Sequence, residues 1–194
     1  MEKGVSQRRK RMKYAIEIEN LTKNYGKHRG VDSIDLCVKE GEWFGFIGPN
    51  GAGKSTTIRT LLGLIKPTKG ESRVFGLDSW KESERIMEGI GYLPSEAIFY
   101  PEMSVKETLD YALSFFKNKD KRRQEELCER FQLDTKRKVG ELSYGNRKKV
   151  GIVSALQHSP SLLILDEPTG GLDPLMQREF FNVLEEEQDR KSVV

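Results

Sequence analysis

The stretch GPNGAGKST, from Gly48 to Thr56, decides the fold of this chain. It matches the pattern of a phosphate-binding loop, in which a glycine and four variable residues are followed by Gly-Lys and then by serine or threonine. An apolar run, EWFGFIG, precedes it, and a segment with helical periodicity, KSTTIRTLLGLI, follows it. This is the strand–loop–helix context that the pattern requires, so the sequence predicts an α/β fold.

The residue types of this loop suit the binding of a nucleotide. Glycines let the backbone curl until its N–H groups point at phosphate oxygens, and the helix that begins near Gly53 adds its positive dipole end. Lys54 supplies a charge for the β and γ phosphates, and the Ser55 hydroxyl is a ligand for Mg²⁺. We therefore expect nucleotide binding by Gly48, Pro49, Asn50, Gly51, Ala52, Gly53, Lys54, Ser55 and Thr56.

A second motif, LLILDEP, supplies two acids much later in the chain. Its apolar run places Asp166 at the C-terminal end of a buried strand, which is where open α/β sheets bind their ligands. We expect Asp166 to hold Mg²⁺ together with Ser55, and Glu167 to act as the catalytic residue that orients or deprotonates a water. Taken alone, Asp166 has a simpler interpretation as a helix cap.

The other segments predict a P-loop NTPase core with a mostly parallel sheet, an N-terminal antiparallel β part and a helical insert at about 100–140. YAIEIEN and SIDLCV alternate apolar and polar residues as strands do, and SRVFG and GIGYLP are further short strands. In the insert, Ser104 and Glu107 form a capping box, DKRRQEELCERF is a charged helix, and Ser143 caps a third helix. SLLILD is a buried strand, and PLMQREFFNVLEEEQ is a helix.

Composition restricts the class of protein. The 194 residues suffice for one domain, 32% are charged, and the mean hydropathy is −0.61. No apolar run approaches the roughly 20 residues that span a bilayer. Cys37 and Cys128 lie far apart in the sequence, which favours a reduced, cytosolic setting and argues against a zinc site.

The charge of the chain is unevenly distributed. Residues 1–13, an arm predicted to be disordered, carry six basic groups and one acid and therefore have a charge of +5. Because the whole chain has a charge of +3, the remaining residues have a charge of −2. We therefore expect no nucleic acid as a partner.

Together these motifs resemble the ATP-binding cassette (ABC) transporter family over nearly the whole chain from about Tyr14, most of all the ABC-2 type exporters. LSYGNRKK looks like the family's LSGGQ signature, GLDP (171–174) like its D-loop and GYLPSE (91–96) like its Q-loop. LTKNYG places Tyr25 where the family stacks an aromatic ring on adenine. The resemblance further implies that the helical insert is the family's helical subdomain, at about 96–145, and that Ser143 and Gly145 contact the γ-phosphate across a dimer.

From this resemblance we expect an ATP-binding subunit with ATP and Mg²⁺ as its cofactors. Its partners would be a second cassette, in a homodimer, and a separate integral-membrane transporter subunit. The chain would then be cytoplasmic and peripheral on the inner face of the cell membrane, and ATP hydrolysis would drive export.

Several positions depart from the family pattern or have a second interpretation. Ser95 stands in place of the Q-loop glutamine, Tyr144 in place of a signature glycine, and Asn146 in place of the signature glutamine. Tyr25 is also explained by packing, and Ser143 by N-capping. Asp173 is explained by capping the helix after Pro174.

Rival functions fit the sequence less well. A GTPase would read guanine with N-K-x-D, but NKDK at 118–121 has its acid one place early. A small-molecule kinase would not need a signature helix, and a non-transport ABC ATPase usually carries coiled coils or two cassettes in one chain. A nucleotide-binding fragment without turnover is the remaining alternative.

The end of the sequence supports that last alternative. The family places a switch histidine one helix and one strand after the acids, whereas His28 and His158 both precede Asp166. The final SVV has the pattern of the first residues of a strand, expected between the phosphate-loop strand and the acid-bearing strand. We therefore expect residues 14–194 to be a C-terminally incomplete cassette that, taken alone, is poorly stable and nearly inactive but keeps some nucleotide affinity through Lys54.

Overall fold

The computed structural model describes residues 13–26, 28–187 and 192–193. Nearly all of the basic arm predicted for residues 1–13 therefore lies outside the described residues. The N-terminal part is an antiparallel sheet, as predicted. Its strands are β1 (Tyr14–Tyr25), β2 (His28–Lys39), β3 (Lys69–Val74) and β4 (Leu77–Asp78), and their order in the sheet is β2-β1-β3-β4.

A second sheet is parallel and carries the acids. Its order is β5-β6-β7, with β5 at Ile90–Leu93, β6 at Leu162–Leu165 and β7 at Ser192–Val193. On its outer side Val193 pairs with Trp43, because the Phe44 amide donates to the Val193 carbonyl at 2.8 Å and the Val193 amide to the Glu42 carbonyl at 3.0 Å. The last strand thus lies between the acid-bearing strand and the segment that leads into the phosphate loop, as predicted.

The prediction of a buried strand over EWFGFIG is wrong for most of its length. Trp43 forms a single bridge, and the residues from there to the loop have no regular secondary structure. Ile47 is 93% exposed. A strand needs a hydrogen-bonded neighbour, and in the described part of the chain β7 provides one only beside Trp43 and Phe44.

The helices flank the two sheets and fill the middle of the chain. Both halves of the predicted capping box are present, since the Glu107 amide donates to the Ser104 hydroxyl at 3.2 Å and the Ser104 amide to the Glu107 carboxylate at 2.8 Å. The helices are α1 (Lys54–Leu61), α2 (Ser83–Met87), α3 (Val105–Ser114), α4 (Lys121–Arg130), α5 (Tyr144–Leu156) and α6 (Pro174–Glu187), with a 3₁₀ turn at Val139–Glu141.

Strand β6 joins two apolar cores because its side chains alternate between the faces of the sheet. Leu162 and Ile164 pack with the antiparallel sheet and α1, whereas Leu163 packs with α3, α5 and α6. The second core also holds α4, whose Arg130 bonds to Glu179 of α6 at 2.6 Å. Among the described residues, no helix is both long and apolar enough to cross a bilayer.

Candidate nucleotide-binding site

A cavity of about 380 Å³ lies where the phosphate loop meets the C-terminal end of β6. It collects residues from five separate parts of the sequence, and it sits at the edge of the parallel sheet where α/β proteins bind ligands. The residues that line it are Tyr25, Gly30, Asn50, Gly51, Gly53, Lys54, Ser55, Thr56, Ser95, Asp166 and Glu167.

The conformation of the loop depends on Gly53. This residue caps α1 with a left-handed φ of 93°, and a Cβ atom there would overlap the Gly30 carbonyl oxygen and lie 2.7 Å from Cγ2 of Val31. The loop is therefore pressed against β2, and only glycine provides both the backbone angle and the space. As a result the first turn of α1, with Lys54, Ser55 and Thr56, lines the cavity.

Lys54 closes the loop from inside. Its Nζ donates to the Gly48 carbonyl at 2.6 Å and to the Pro49 carbonyl at 3.0 Å. The side chain thus curls back over its own loop, and its charge lies against two of the loop carbonyls. An ammonium in this position can exchange these carbonyl contacts for anionic oxygens.

Ser55 and Asp166 meet across the cavity. The Ser55 hydroxyl donates to Oδ2 of Asp166 at 3.2 Å, over a sequence separation of 111 residues. The Asp166 amide bonds to the Leu93 carbonyl at 2.8 Å, which fixes this residue at the last rung of the β5–β6 ladder. One hydroxyl and one carboxylate oxygen are ligands that Mg²⁺ accepts.

Glu167 follows with a left-handed backbone, at a φ of 49°. Non-glycine residues seldom adopt this region, which costs about 1–2 kcal/mol. The turn allows Asp166 and Glu167 to line the same cavity, although a regular strand would send them to opposite faces. Such strain at a cavity rim is typical of functional sites.

Tyr25 lies at the other end of the cavity and is 45% exposed. Its ring leans on β2, since a Cβ atom at Gly30 would lie 2.8 Å from its Cε2 atom. The Lys23 ammonium lies 5.3 Å from the ring centroid. The geometry is therefore compatible with packing against Gly30 and with a free ring surface for a base.

Ser143 and Gly145 are placed elsewhere, at the start of α5, and are not among the described residues that line this cavity. Ser143 is exposed and accepts a bond from the Asn146 amide at 3.3 Å, so it does cap the helix. The ring of Tyr144 covers Gly171, which leaves no room for a side chain there. Asp173 likewise caps α6, accepting from the Met176 amide at 3.0 Å.

Comparison with known proteins decides the family. The family model described as ABC transporter matches residues 31–170. The chain belongs to the ABC transporter family.

Curated relatives and solved structures agree with this assignment. The chain is 43% identical over 166 residues to the bacitracin transport ATP-binding protein BcrA of Bacillus licheniformis, covering 84% of this chain and 54% of that protein. It is 35% identical over 171 residues to the probable multidrug ABC transporter ATP-binding protein YbhF of Escherichia coli, covering 86% of this chain and 30% of that protein. The chain thus spans about half of the first of these relatives and less of the second.

Two solved structures of the family superpose well. One, described as the ATP-binding subunit of an ABC transporter, is 29% identical with a TM-score of 0.85 and covers 92% of this chain and 78% of that chain. The other is a dimeric ATP-binding cassette in a post-hydrolysis state bound to ADP and Pi, 26% identical with a TM-score of 0.82, covering 92% and 86% of the two chains. The predicted cassette fold, with its P-loop core and antiparallel part, is confirmed.

Sequence reasoning missed Lys148, which lies beneath the site and is only 3% exposed. Its Nζ donates to the carbonyls of Ser95 at 3.0 Å, Pro94 at 3.2 Å and Asp166 at 3.4 Å. Burial lowers the pKa of this lysine, while the nearby charges of Asp166 and Glu167 act to raise it. The available signal was helical periodicity, because position 148 lies one turn before the buried Ile152.

Proposed function

We propose that this protein is the ATP-binding subunit of an ABC exporter, and that it hydrolyses ATP in the cavity between the phosphate loop and β6. The single observation that carries the proposal is the convergence of Lys54, Ser55, Asp166 and Glu167 on one cavity. A volume of about 380 Å³ is in the range of small-molecule sites.

The residues present fit Mg-ATP. Loop amides and the N-terminus of α1 would hold the phosphate oxygens, and Lys54 would exchange its contacts with Gly48 and Pro49 for the β and γ phosphates. Ser55 and Asp166 already lie 3.2 Å apart and would hold Mg²⁺ between them. Tyr25 would stack on the adenine ring.

Glu167 is the residue that we assign to the chemical step. Its carboxylate would accept a proton from the attacking water, and its left-handed backbone holds it beside Asp166 on the cavity wall. When bound, Mg²⁺ supplies positive charge that offsets the charge developing on the phosphate oxygens. Lys54 and the loop amides would stabilise the same charge from the opposite side.

A second cassette would complete the site. Ser143 is exposed at the start of α5 and does not line the cavity of its own chain. A contact from Ser143 and Gly145 to a γ-phosphate must therefore come from another copy. The dimeric cassette bound to ADP and Pi, a solved neighbour of this chain, supports that arrangement.

A separate integral-membrane subunit would dock on the helical part, near Ser95. Four apolar side chains are exposed together there around a cavity of about 320 Å³, and such a patch is typical of an interaction site. They are Ile98 at 90%, Tyr100 at 63%, Tyr111 at 48% and Phe115 at 68% exposure. Docking on this patch would place the subunit on the cytoplasmic face of the membrane, and the names of the relatives BcrA and YbhF favour export of a drug or antibiotic.

ATP hydrolysis by the protein, purified with its membrane subunit, tests the proposal. Glu167→Gln should lower kcat about 10²-fold or more, because it removes a general base, and leave ATP binding intact. Glu88→Gln, on the surface beyond α2, is the matched control and should keep parental turnover. ATP binding by the parent without hydrolysis would instead favour a nucleotide-binding protein without turnover, and no ATP binding would reject both.

A further inference from the structure

The buried ammonium of Lys148 joins three parts of the nucleotide site. Its three N–H donors face three backbone carbonyls, those of Pro94, Ser95 and Asp166, at 3.0–3.4 Å. Pro94 and Ser95 follow β5, and Asp166 follows β6, so the side chain spans the carboxyl ends of two neighbouring strands. With every donor engaged, the ammonium has one defined position.

We propose that Lys148 is a positioning residue for ATP hydrolysis, which fastens the loop after β5 and the acidic pair after β6 to helix α5. The proposal rests on the function proposed above. Lys148 does not reach the cavity itself but touches two residues, Ser95 and Asp166, whose side chains line it. A displacement of either backbone would move a side chain that faces the nucleotide.

Charge gives Lys148 a second effect on the same residues. Its ammonium lies within electrostatic reach of both Asp166 and Glu167. Lys54, the cation on the other side of the cavity, is held by its own loop carbonyls. Because Lys148 is buried and does not line the cavity, its charge would stay beside these residues when a nucleotide binds.

Helix α5 extends this connection to the surface. Its N-cap is the exposed Ser143, the residue assigned to a second cassette, and Lys148 lies five residues further along the same helix. Lys148 therefore connects the helix that begins at Ser143 with Ser95 and Asp166 at the nucleotide cavity.

The test measures nucleotide binding and ATP hydrolysis by the Lys148→Met variant of the protein, purified with its membrane subunit. Methionine keeps the length and the burial of the side chain but has no N–H donor. If the methionine variant fails to fold, the same quantities are measured on Lys148→Gln, which keeps a donor group. We expect ATP affinity in EDTA to match the parent, the half-saturating Mg²⁺ concentration to rise about fivefold, and kcat to fall about tenfold or more. Lys148→Arg should recover part of both losses, because it restores charge and donors.

Gln157→Leu is the matched control, since Gln157 is fully buried at the other end of α5 and its Nε2 donates to the Leu109 carbonyl at 3.2 Å. This variant should lose thermal stability and keep the parental Mg²⁺ dependence. Lys148 variants that lose stability as Gln157→Leu does, with unchanged Mg²⁺ dependence and kcat, would overturn the positioning role alone. A parent protein that binds no ATP would overturn the proposed function and this role with it.

Discussion

The hydroxyl of Ser55 donates a hydrogen bond to Oδ2 of Asp166 across 3.2 Å. Ser55 belongs to the first turn of α1 and Asp166 follows β6, so this hydrogen bond joins the phosphate loop and the acidic motif directly. Both oxygens are ligands that suit a hard divalent cation such as Mg²⁺.

Asp166→Asn should uncouple nucleotide binding from Mg²⁺. Asparagine has the same size and can still accept the Ser55 hydroxyl, but it lacks the charge that Mg²⁺ requires. We expect affinity for Mg-ATP to fall about tenfold, and affinity for ATP in EDTA to stay at the parental value or rise. Calorimetric titrations with and without Mg²⁺ measure both, and Asp173→Asn, at the cap of α6, is the control. Equal Mg²⁺ dependence in parent and variant would reject the metal assignment.

Lys54→Ala should weaken ATP binding severely. The lysine contributes a charge-assisted contact of about 1.5–3 kcal/mol, which is about a 10- to 150-fold loss of affinity. Lys138→Ala removes a lysine from an exposed pair with Glu102 and should change nothing. Equal affinity of Lys54→Ala and the parent in calorimetry would remove Lys54 from the site.

Gly53→Ala should damage both stability and the loop. The added methyl group would strain a φ of 93° and overlap the backbone of Gly30. We expect unfolding free energy to fall by about 2–4 kcal/mol and ATP binding to be lost. Gly76→Ala is the control, because Gly76 has a φ of 77° with no atom within 4 Å of its Cβ position. It should lose only about 1 kcal/mol and keep ATP affinity, and similar losses for both variants in urea unfolding would contradict the steric argument.

The stability of the protein at low pH should depend on Asp110 in α3. Burial acts to raise the pKa of this carboxyl, but hydrogen bonds from Lys106, at 2.8 Å, and from Lys121 outweigh it and lower the pKa to about 2. A lowered folded-state pKa contributes stability above the ordinary value of 3.8, and that stability is lost as the pH falls toward 2. The stability advantage of the parent over Asp110→Asn should therefore shrink between these values, as followed by urea unfolding. When Lys106 is first replaced by methionine, the loss of stability caused by Asp110→Asn should be smaller. A stability difference between the parent and Asp110→Asn that does not change with pH would contradict this account.

The apolar patch near Ser95 should determine capture of the membrane subunit. Ile98→Ser with Phe115→Ser removes two exposed apolar side chains, at 90% and 68% exposure, without opening the core. We expect loss of co-purification in detergent with ATP affinity unchanged, because the nucleotide cavity is lined by other residues. Trp80→Ser, which removes an aromatic side chain that is 43% exposed and lies outside this patch, should retain the partner. Retention by the double variant would place the interface elsewhere.

The sequence by itself determined the features that depend on neighbouring residues. GPNGAGKST and LLILDEP predicted the loop and the acids, and Ser104 with Glu107 predicted a helix start that the structure contains. Hydrogen bonding within a few residues governs a capping box, and a run of glycines governs a tight loop, so their patterns are readable locally. The order of these motifs also predicted the fold, because parallel strands bring their carboxyl ends to one edge.

The tertiary structure alone decided which groups contact each segment. EWFGFIG has the composition of a buried strand, yet among the described residues Trp43 is the one position in it that forms a bridge, because a strand needs a neighbouring backbone to pair with as well as a suitable sequence. Lys148 has the appearance of a surface lysine in a charged run, but the pairing of β5 with β6 places the carbonyls of Ser95 and Asp166 together above it. Contacts between residues far apart in the chain are set by packing, and no local pattern records which backbone groups a long side chain will meet.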